Sequence, residues 1–184
     1  MIEAKLLERN AIGVDINPNS IKISNKNLEF HSNNFSKIFT KQGDATQLKF
    51  IKSNSINLIC THPPYADIIR YSQDVEGDLS HLSYEDFLSS MDDVAKESFR
   101  VLKNNGICAY MIGDIRRNGN VLPLGMASMQ MFVDSGFILK EIVIKEQHNC
   151  RSTKYWDNHK RSFLLLAHEY VFIFEKSSNT ELIK

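Results

Sequence analysis

"SINLICTHPPY", residues 55 to 65, runs from a short apolar segment into a corner of two prolines, with a histidine before them and a tyrosine after. The segment Ile56–Cys60 is almost continuously apolar. That pattern predicts a strand buried on both faces of a parallel sheet, with Cys60 pointing into the core. Pro63 and Pro64 fix their own φ and donate no backbone N–H, so the corner presents carbonyl oxygens rigidly. Tyr65 adds an aromatic face. Acceptors beside a flat apolar surface suit a planar base whose exocyclic amine must be held while its ring stacks.

Outward from this corner the elements alternate. "IEAKLLERN" predicts the end of a helix and "AIGVDINP" a short strand closing on Asp15, with Pro18 marking a turn. "NSIKISNKNLEF" has helical character, and a polar loop with a weak strand around Ile38–Phe39 leads to Asp44. "LSYEDFLSSMDDVAKESFRVLKNNG" predicts the clearest helix. Ser83 caps it, Phe87, Met91, Val94, Ala95, Ser98 and Leu102 follow helical spacing, and Gly106 stops it. "ICAYMIG" reads as a strand, "LPLGMASMQMFVDSGF" as a helix, and "ILKEIVIKE" and "FLLLAHEYVFIFEK" as two closing strands. The order predicts one α/β domain over residues 1–176 with a doubly wound, mostly parallel sheet and a C-terminal antiparallel hairpin. Residues 177–184 read as a loose tail.

The 184 residues suffice for one sizeable core, and 22 basic residues balance 22 acidic ones, so any nucleic-acid surface must be local. No apolar run reaches membrane-span length and the N-terminus lacks a signal-peptide core, which predicts a cytoplasmic protein without a membrane partner. Cys60, Cys108 and Cys150 have no metal-ligand spacing and read as reduced thiols; His148 and Cys150 make a poor metal pair, and no metal is expected.

In doubly wound sheets ligands bind beyond the carboxyl ends of the strands. That rule gathers Asp15, Asp44, His62–Tyr65 and Gly113–Asp114 on one rim. A carboxylate at a strand end holds a ribose through its hydroxyls, which suits Asp15. Asp44 can accept from an adenine amino group. Either aspartate alone could equally be a turn former or a helix cap.

The ordered set resembles the S-adenosylmethionine-dependent DNA methyltransferases that modify adenine N6 or cytosine N4, over roughly residues 2 to 176. "THPPY" resembles that family's (Asp/Asn/Ser)-Pro-Pro-(Tyr/Phe/Trp) motif, "NAIGVDINP" its second-strand segment, and "GDA" at 43–45 the segment that meets the cofactor adenine. "SFRVLKNNGICAYMIGD" is similar to the helix and strand lining the far wall. The resemblance implies a Rossmann-like methyltransferase sheet and S-adenosyl-L-methionine as cofactor. Asp15, Ile16, Asp44 and Ala45 would be cofactor-binding and His62, Pro63, Pro64 and Tyr65 catalytic. The reaction implied is direct methyl transfer to the exocyclic amine of a flipped base, as in restriction-modification.

Two departures stand out. His62 replaces the family's side-chain oxygen; a neutral imidazole accepts one hydrogen bond and an imidazolium none. Either His62 accepts from the target amine, or it packs and the Pro63 carbonyl holds the amine. The chain also opens inside the helix that should follow the family's first strand and glycine-rich turn, and Gly13 is the only glycine before Asp15. The resemblance therefore implies a missing first strand, to be replaced by direct pairing of its neighbours, by a second chain or by a homodimer. An inactive fragment or one subunit of a split enzyme is the alternative in a different class; an RNA guanine-N2 methyltransferase is the alternative in substrate.

DNA is the expected partner. "HNCRSTKYWDNHKRS" interleaves Arg151, Lys154, Lys160 and Arg161 with Tyr155 and Trp156, cations for phosphates and rings for stacking. "DIRRNGN" adds Arg116 and Arg117 just past the rim.

Overall fold

The computed structural model describes residues 1–31, 35–147 and 163–177. Among these, four helices, α1 (Ile2–Leu6), α2 (Pro18–Asn27), α3 (Tyr84–Val101) and α4 (Leu124–Asp134), accompany eight strands. The strands are β1 (Ala11–Asp15), β2 (Ile38–Gln42), β3 (Ile56–Thr61), β4 (Leu102–Ile112), β5 (Ile115–Arg117), β6 (Asn120–Leu122), β7 (Ile138–Glu146) and β8 (His168–Glu175). β1 and β2 pair in parallel. A second sheet runs in the order β3-β4-β8-β7, parallel between β3 and β4 and antiparallel on both sides of β8. The α/β architecture and the closing antiparallel hairpin are those the sequence predicts.

The helix read most firmly forms as its pattern dictates. Ser83 Oγ accepts the Asp86 N–H at 3.1 Å, satisfying one orphan donor of the first turn. Phe87, Met91, Val94, Ala95 and Ser98 then fall on one stripe and are buried. They join α4 and one face of the larger sheet in a core with an aromatic centre. Tyr110 stacks on Phe132 at 4.7 Å between centroids, and Phe132 on Phe174 at 5.0 Å. The Tyr110 hydroxyl is fully buried and donates to Ser128 Oγ at 2.9 Å, so the ring is buried without an unpaired oxygen.

Three expectations are corrected. Cys60 is exposed, and Leu58 beside it retains 58% of its surface. β3 is an edge strand of its sheet among the described residues, and none of its residues is fully buried; Ile56, Ile59 and Thr61 are half-buried. α3 ends at Val101, before Gly106, and Leu102 turns directly into β4. Gly106 serves the strand: a Cβ there would sit 2.8 Å from the Lys103 carbonyl oxygen and 3.3 Å from that of Asn57. The last strand is shorter than its apolar run, beginning at His168. The small β5–β6 hairpin has no counterpart in the sequence reading.

Candidate active site at the strand ends

β1 and β2 run side by side, with Asp15 opposite Gln42, and the Gly43 N–H donates to the Asp15 carbonyl at 3.1 Å. This brings Asp15 and the Asp44–Ala45 turn to one rim. Each aspartate uses Oδ1 locally: Asp15 accepts the Asn17 N–H and Asp44 the Thr46 N–H, both at 2.8 Å. Oδ2 of each accepts nothing from the described residues. Two carboxylate oxygens on adjacent strand ends are the acceptor set that a ribose diol and an aminopurine require, so these residues fit an adenosine group.

Ile16 and Asp44 also share a neighbour that the sequence does not announce. Gly77, at φ +82°, approaches so closely that a Cβ on it would lie 3.0 Å from Ile16 Cδ1 and 3.8 Å from Asp44 Oδ2. Asn17 Nδ2 donates to the Tyr71 carbonyl at 3.0 Å. The segment leading away from the proline corner therefore crosses to the β1–β2 rim. Asp78 organises it, accepting from Ser72 Oγ at 2.5 Å and from the Ser80 N–H at 2.9 Å. Burial raises the Asp78 carboxyl, but these hydrogen bonds and His81 outweigh it and hold it below the usual range.

The corner follows β3. A 3₁₀ turn, Ala66–Ile68, begins immediately after Tyr65 and fixes where its ring leaves the chain. The ring packs on Gly113 at the end of β4, where a Cβ would stand 3.1 Å from Tyr65 Cε2. A side chain there would press the ring out of place by a few tenths of an ångström. The Tyr65 hydroxyl donates to Oε1 of Glu169, a buried carboxylate on β8 whose other oxygen accepts Lys145 Nζ at 2.6 Å. His62, 45% exposed, places Nε2 3.0 Å from the Tyr65 hydroxyl oxygen and 3.8 Å from Glu169 Oε1.

The electrostatics follow from this packing. Burial, then the Glu169 carboxylate, pushes the Tyr65 phenol well up, so it keeps its proton. Burial alone would raise Glu169, but hydrogen bonds from Lys145 and Tyr65 reverse that and keep it ionised. Burial lowers His62, offset in part by Glu169, and the imidazole is neutral at pH 7. Glu169 and Lys145 are absent from the sequence reading; the apolar run around "HEYVFIF" is the only signal of Glu169, and Lys145 lies in the strand run "ILKEIVIKE".

Asp114 caps α4: its Oδ1 accepts the Gly125 N–H at 2.8 Å and its Oδ2 the Tyr170 hydroxyl at 3.2 Å. Arg117 donates to Asp67, two residues beyond Tyr65, and so ties the β5–β6 hairpin to the corner. Arg116 donates to the carbonyls of Gly119 and Leu164, and stacks over Phe163 at 4.1 Å. Arg151, Lys154, Tyr155, Trp156, Lys160 and Arg161 lie outside the described residues, as do His148 and Cys150. No helix among the described residues is long and apolar enough to cross a membrane.

Residues 56–184 match the family model of the DNA methylases, and residues 2–108 that of the RMKL-like methyltransferase domain. The chain is 29% identical over 153 residues to the type II beta methyltransferase M.BslI of Bacillus sp. (strain NEB-606), covering 74% of this chain and 16% of that protein. It is 25% identical over 122 residues to the orphan methyltransferase M.BamHII of Bacillus amyloliquefaciens, covering 66% of this chain and 39% of that one. Among solved structures, a protein of Thermus thermophilus described as a DNA modification methylase, complexed with S-adenosyl-L-methionine, aligns with a TM-score of 0.55 at 25% identity. That alignment covers 77% of this chain and 56% of the other. The chain thus spans well under half the length of the curated relatives it matches.

Proposed function

The chain belongs to the DNA methylase family, and from that premise we propose that it is the catalytic part of an S-adenosyl-L-methionine-dependent DNA methyltransferase acting on adenine N6 or cytosine N4. The observation that carries this is the placement of two carboxylate-tipped parallel strands and a Pro-Pro-Tyr corner, joined by one segment. Asp15 and Asp44 would hold the ribose and adenine of the cofactor, with Ile16 against the ring and Ala45 on the same turn. The cofactor, when bound, supplies an electrophilic methyl group on sulfonium.

The remaining work belongs to the corner. An exocyclic amine conjugated with its ring is a poor nucleophile. Acceptors on its hydrogens draw the nitrogen lone pair out of conjugation and aim it, chiefly a positioning effect. His62 and the Pro63 carbonyl are those acceptors, and Pro64 keeps the corner rigid. Tyr65, locked between Gly113 and Glu169, offers its face to the flipped base. Arg116 and Arg117, with the basic and aromatic residues between 151 and 161, supply phosphate and stacking contacts. The reaction takes place in the cytoplasm, where restriction-modification operates.

Incubation with cofactor and either duplex DNA or structured RNA, followed by nucleoside mass spectrometry, tests this. N6-methyladenine or N4-methylcytosine in the DNA is expected. A methylated guanine in RNA, with DNA untouched, would overturn the substrate.

One observation favours a second reading, a split methyltransferase. β1 and β3 are edge strands among the described residues, and each carries an exposed apolar residue, Ile12 at 45% and Leu58 at 58%. Open apolar edges invite a further strand. A strand from a second subunit, seated between them, would join the two sheets into one. Amide exchange in β1 and β3 as slow as in β4, with this chain alone, would dismiss it.

A further inference from the structure

The hydrogen bonds around Tyr65 fix more than its ring. A phenol has one proton, and here it is committed. Glu169 is an ionised carboxylate, able only to accept, so the bond between them runs from Tyr65 Oη to Glu169 Oε1. What remains on Tyr65 Oη is lone pairs. His62 Nε2 lies 3.0 Å from that oxygen. Two acceptors facing each other at that distance would repel, so Nε2 must carry a proton. A neutral imidazole protonated on Nε2 has its lone pair on Nδ1, and Nδ1 accepts no hydrogen bond from the described residues. Lys145, half-exposed at the far carboxylate oxygen, completes the chain by holding Glu169 in its charged form.

We propose that Glu169 is a positioning residue: by taking the single proton of Tyr65 it selects the Nε2–H tautomer of His62 and leaves Nδ1 as the acceptor for the base amine. The histidine that replaces the expected side-chain oxygen is thereby made to act like one. It presents a single lone pair, fixed from behind by Tyr65, Glu169 and Lys145. The same nitrogen can take the proton that the methylated amine must shed: the amine N–H bond breaks, Nδ1–H forms, and the resulting imidazolium has the Glu169 carboxylate at 3.8 Å as its counter-charge. Tyr65 and Glu169, with Lys145 behind the carboxylate, are the titratable groups that face His62 from the elements packed on it.

The assignment rests on the methyltransferase reading only for what Nδ1 accepts; the tautomer itself is a property of the chain. Nitrogen-15 correlation spectra of the labelled protein, without DNA or cofactor, report it directly, and the His62→Gln spectrum identifies the signals among six histidines. Expected at neutral pH are a protonated Nε2 and an unprotonated Nδ1. In Glu169→Ala the freed phenol can donate to His62 instead, and both nitrogens should shift toward averaged values. Tyr65→Phe, which keeps Glu169 and Lys145 paired, should do the same if the alanine variant fails to fold. A His62 proton on Nδ1 in the unaltered protein overturns the proposal with no variant needed, and so does a spectrum unmoved by both substitutions. Methyl transfer supplies the second arm: Glu169→Ala should lower kcat by about tenfold with the KM for cofactor unchanged, the signature of a group that acts only at the reacting end. The predicted tautomer without any methyl transfer would sink the enzymatic reading and leave the relay standing. Methyl transfer with the opposite tautomer would sink the relay alone.

Discussion

Lys176 places its ammonium 2.6 Å from the carbonyl oxygen of Phe99, in the last turn of α3. It also donates to the Leu102 carbonyl at 2.9 Å and to Asn54 Oδ1 at 2.8 Å, and stands over the Phe99 ring. The side chain is buried with neutral acceptors around it. Helix C-terminal carbonyls lack intrahelical donors, and a cation there also opposes the helix dipole.

Lys176→Met should therefore destabilise the protein by about 1–3 kcal/mol, the cost of leaving buried carbonyls unpaired. Urea unfolding checks it. Burial lowers the Lys176 pKa, so in the alkaline window below the ordinary lysine value the unfolded chain binds more protons than the folded one. Stability should rise with pH through that window, and the methionine variant should lose that rise.

Two glycines are held by space. A Cβ on Gly125 would lie 2.6 Å from Tyr170 Cδ2 and 3.2 Å from Asp114 Oδ1, and one on Gly106 would meet backbone oxygens. Alanine at either should cost about 1–3 kcal/mol, since neither neighbour can retreat without breaking a hydrogen bond or a strand. For a chain of this size that lowers Tm by roughly 2–4 °C per kcal/mol, readable in a thermal melt. Gly119, with nothing within 4 Å but a φ of +80°, serves as the contrast: its alanine variant should suffer only the strain of that conformation, about 1 kcal/mol.

Acid should unfold the site early. Asp78, Glu97 and Glu169 all have carboxyls held below their ordinary range, and His62 is lowered as well. For each carboxylate the folded pKa is depressed, so its contribution is present above the unfolded value near pH ~4 and lost as pH falls through the folded one. His62 adds an earlier loss, beginning as pH drops below about 6.5, because the unfolded imidazole charges first. The stability curve should bend down in two stages, and His62→Gln should remove the upper stage. A curve flat from about pH 7 to 5 would contradict the placement of His62.

Arg117 separates stability from binding. Its pair with Asp67 is 40% exposed on both sides and contributes little to folding, under about 1 kcal/mol. If Arg117 meets a phosphate, Arg117→Ala should weaken duplex binding uniformly across sequences and reduce the salt slope by about 0.9, with Tm nearly unmoved. An unchanged slope would remove Arg117 from the interface.

The cap at Ser83 and the strand ends at Asp15 and Asp44 were legible because local chemistry makes them. Ser83, the stripe from Phe87 to Ser98, and the aspartates at 15 and 44 need nothing beyond their neighbours in sequence. Cys60 was misread because burial of a strand face depends on what packs against it, and its apolar run says nothing about an edge. Gly106 was misread because a glycine after a helical pattern looks like a stop, whereas here the crowding comes first from the Lys103 carbonyl in its own strand and then from Asn57 on the neighbouring one. Glu169 was invisible for the converse reason: one acidic residue in an apolar strand looks incidental until the fold brings it to Tyr65, 104 residues away. Gly77 meets Ile16 only because the segment after the corner folds back over the rim.

Titration calorimetry of S-adenosyl-L-methionine into this chain, and into Asp15→Ala and Asp44→Ala, is the most direct measurement. An adenosine group held by both carboxylates predicts a Kd below about 100 μM, roughly −5.5 kcal/mol, weakened about tenfold by either substitution. A folded protein that binds no cofactor, or binds it equally well without Asp15 and Asp44, would contradict the site at the ends of β1 and β2.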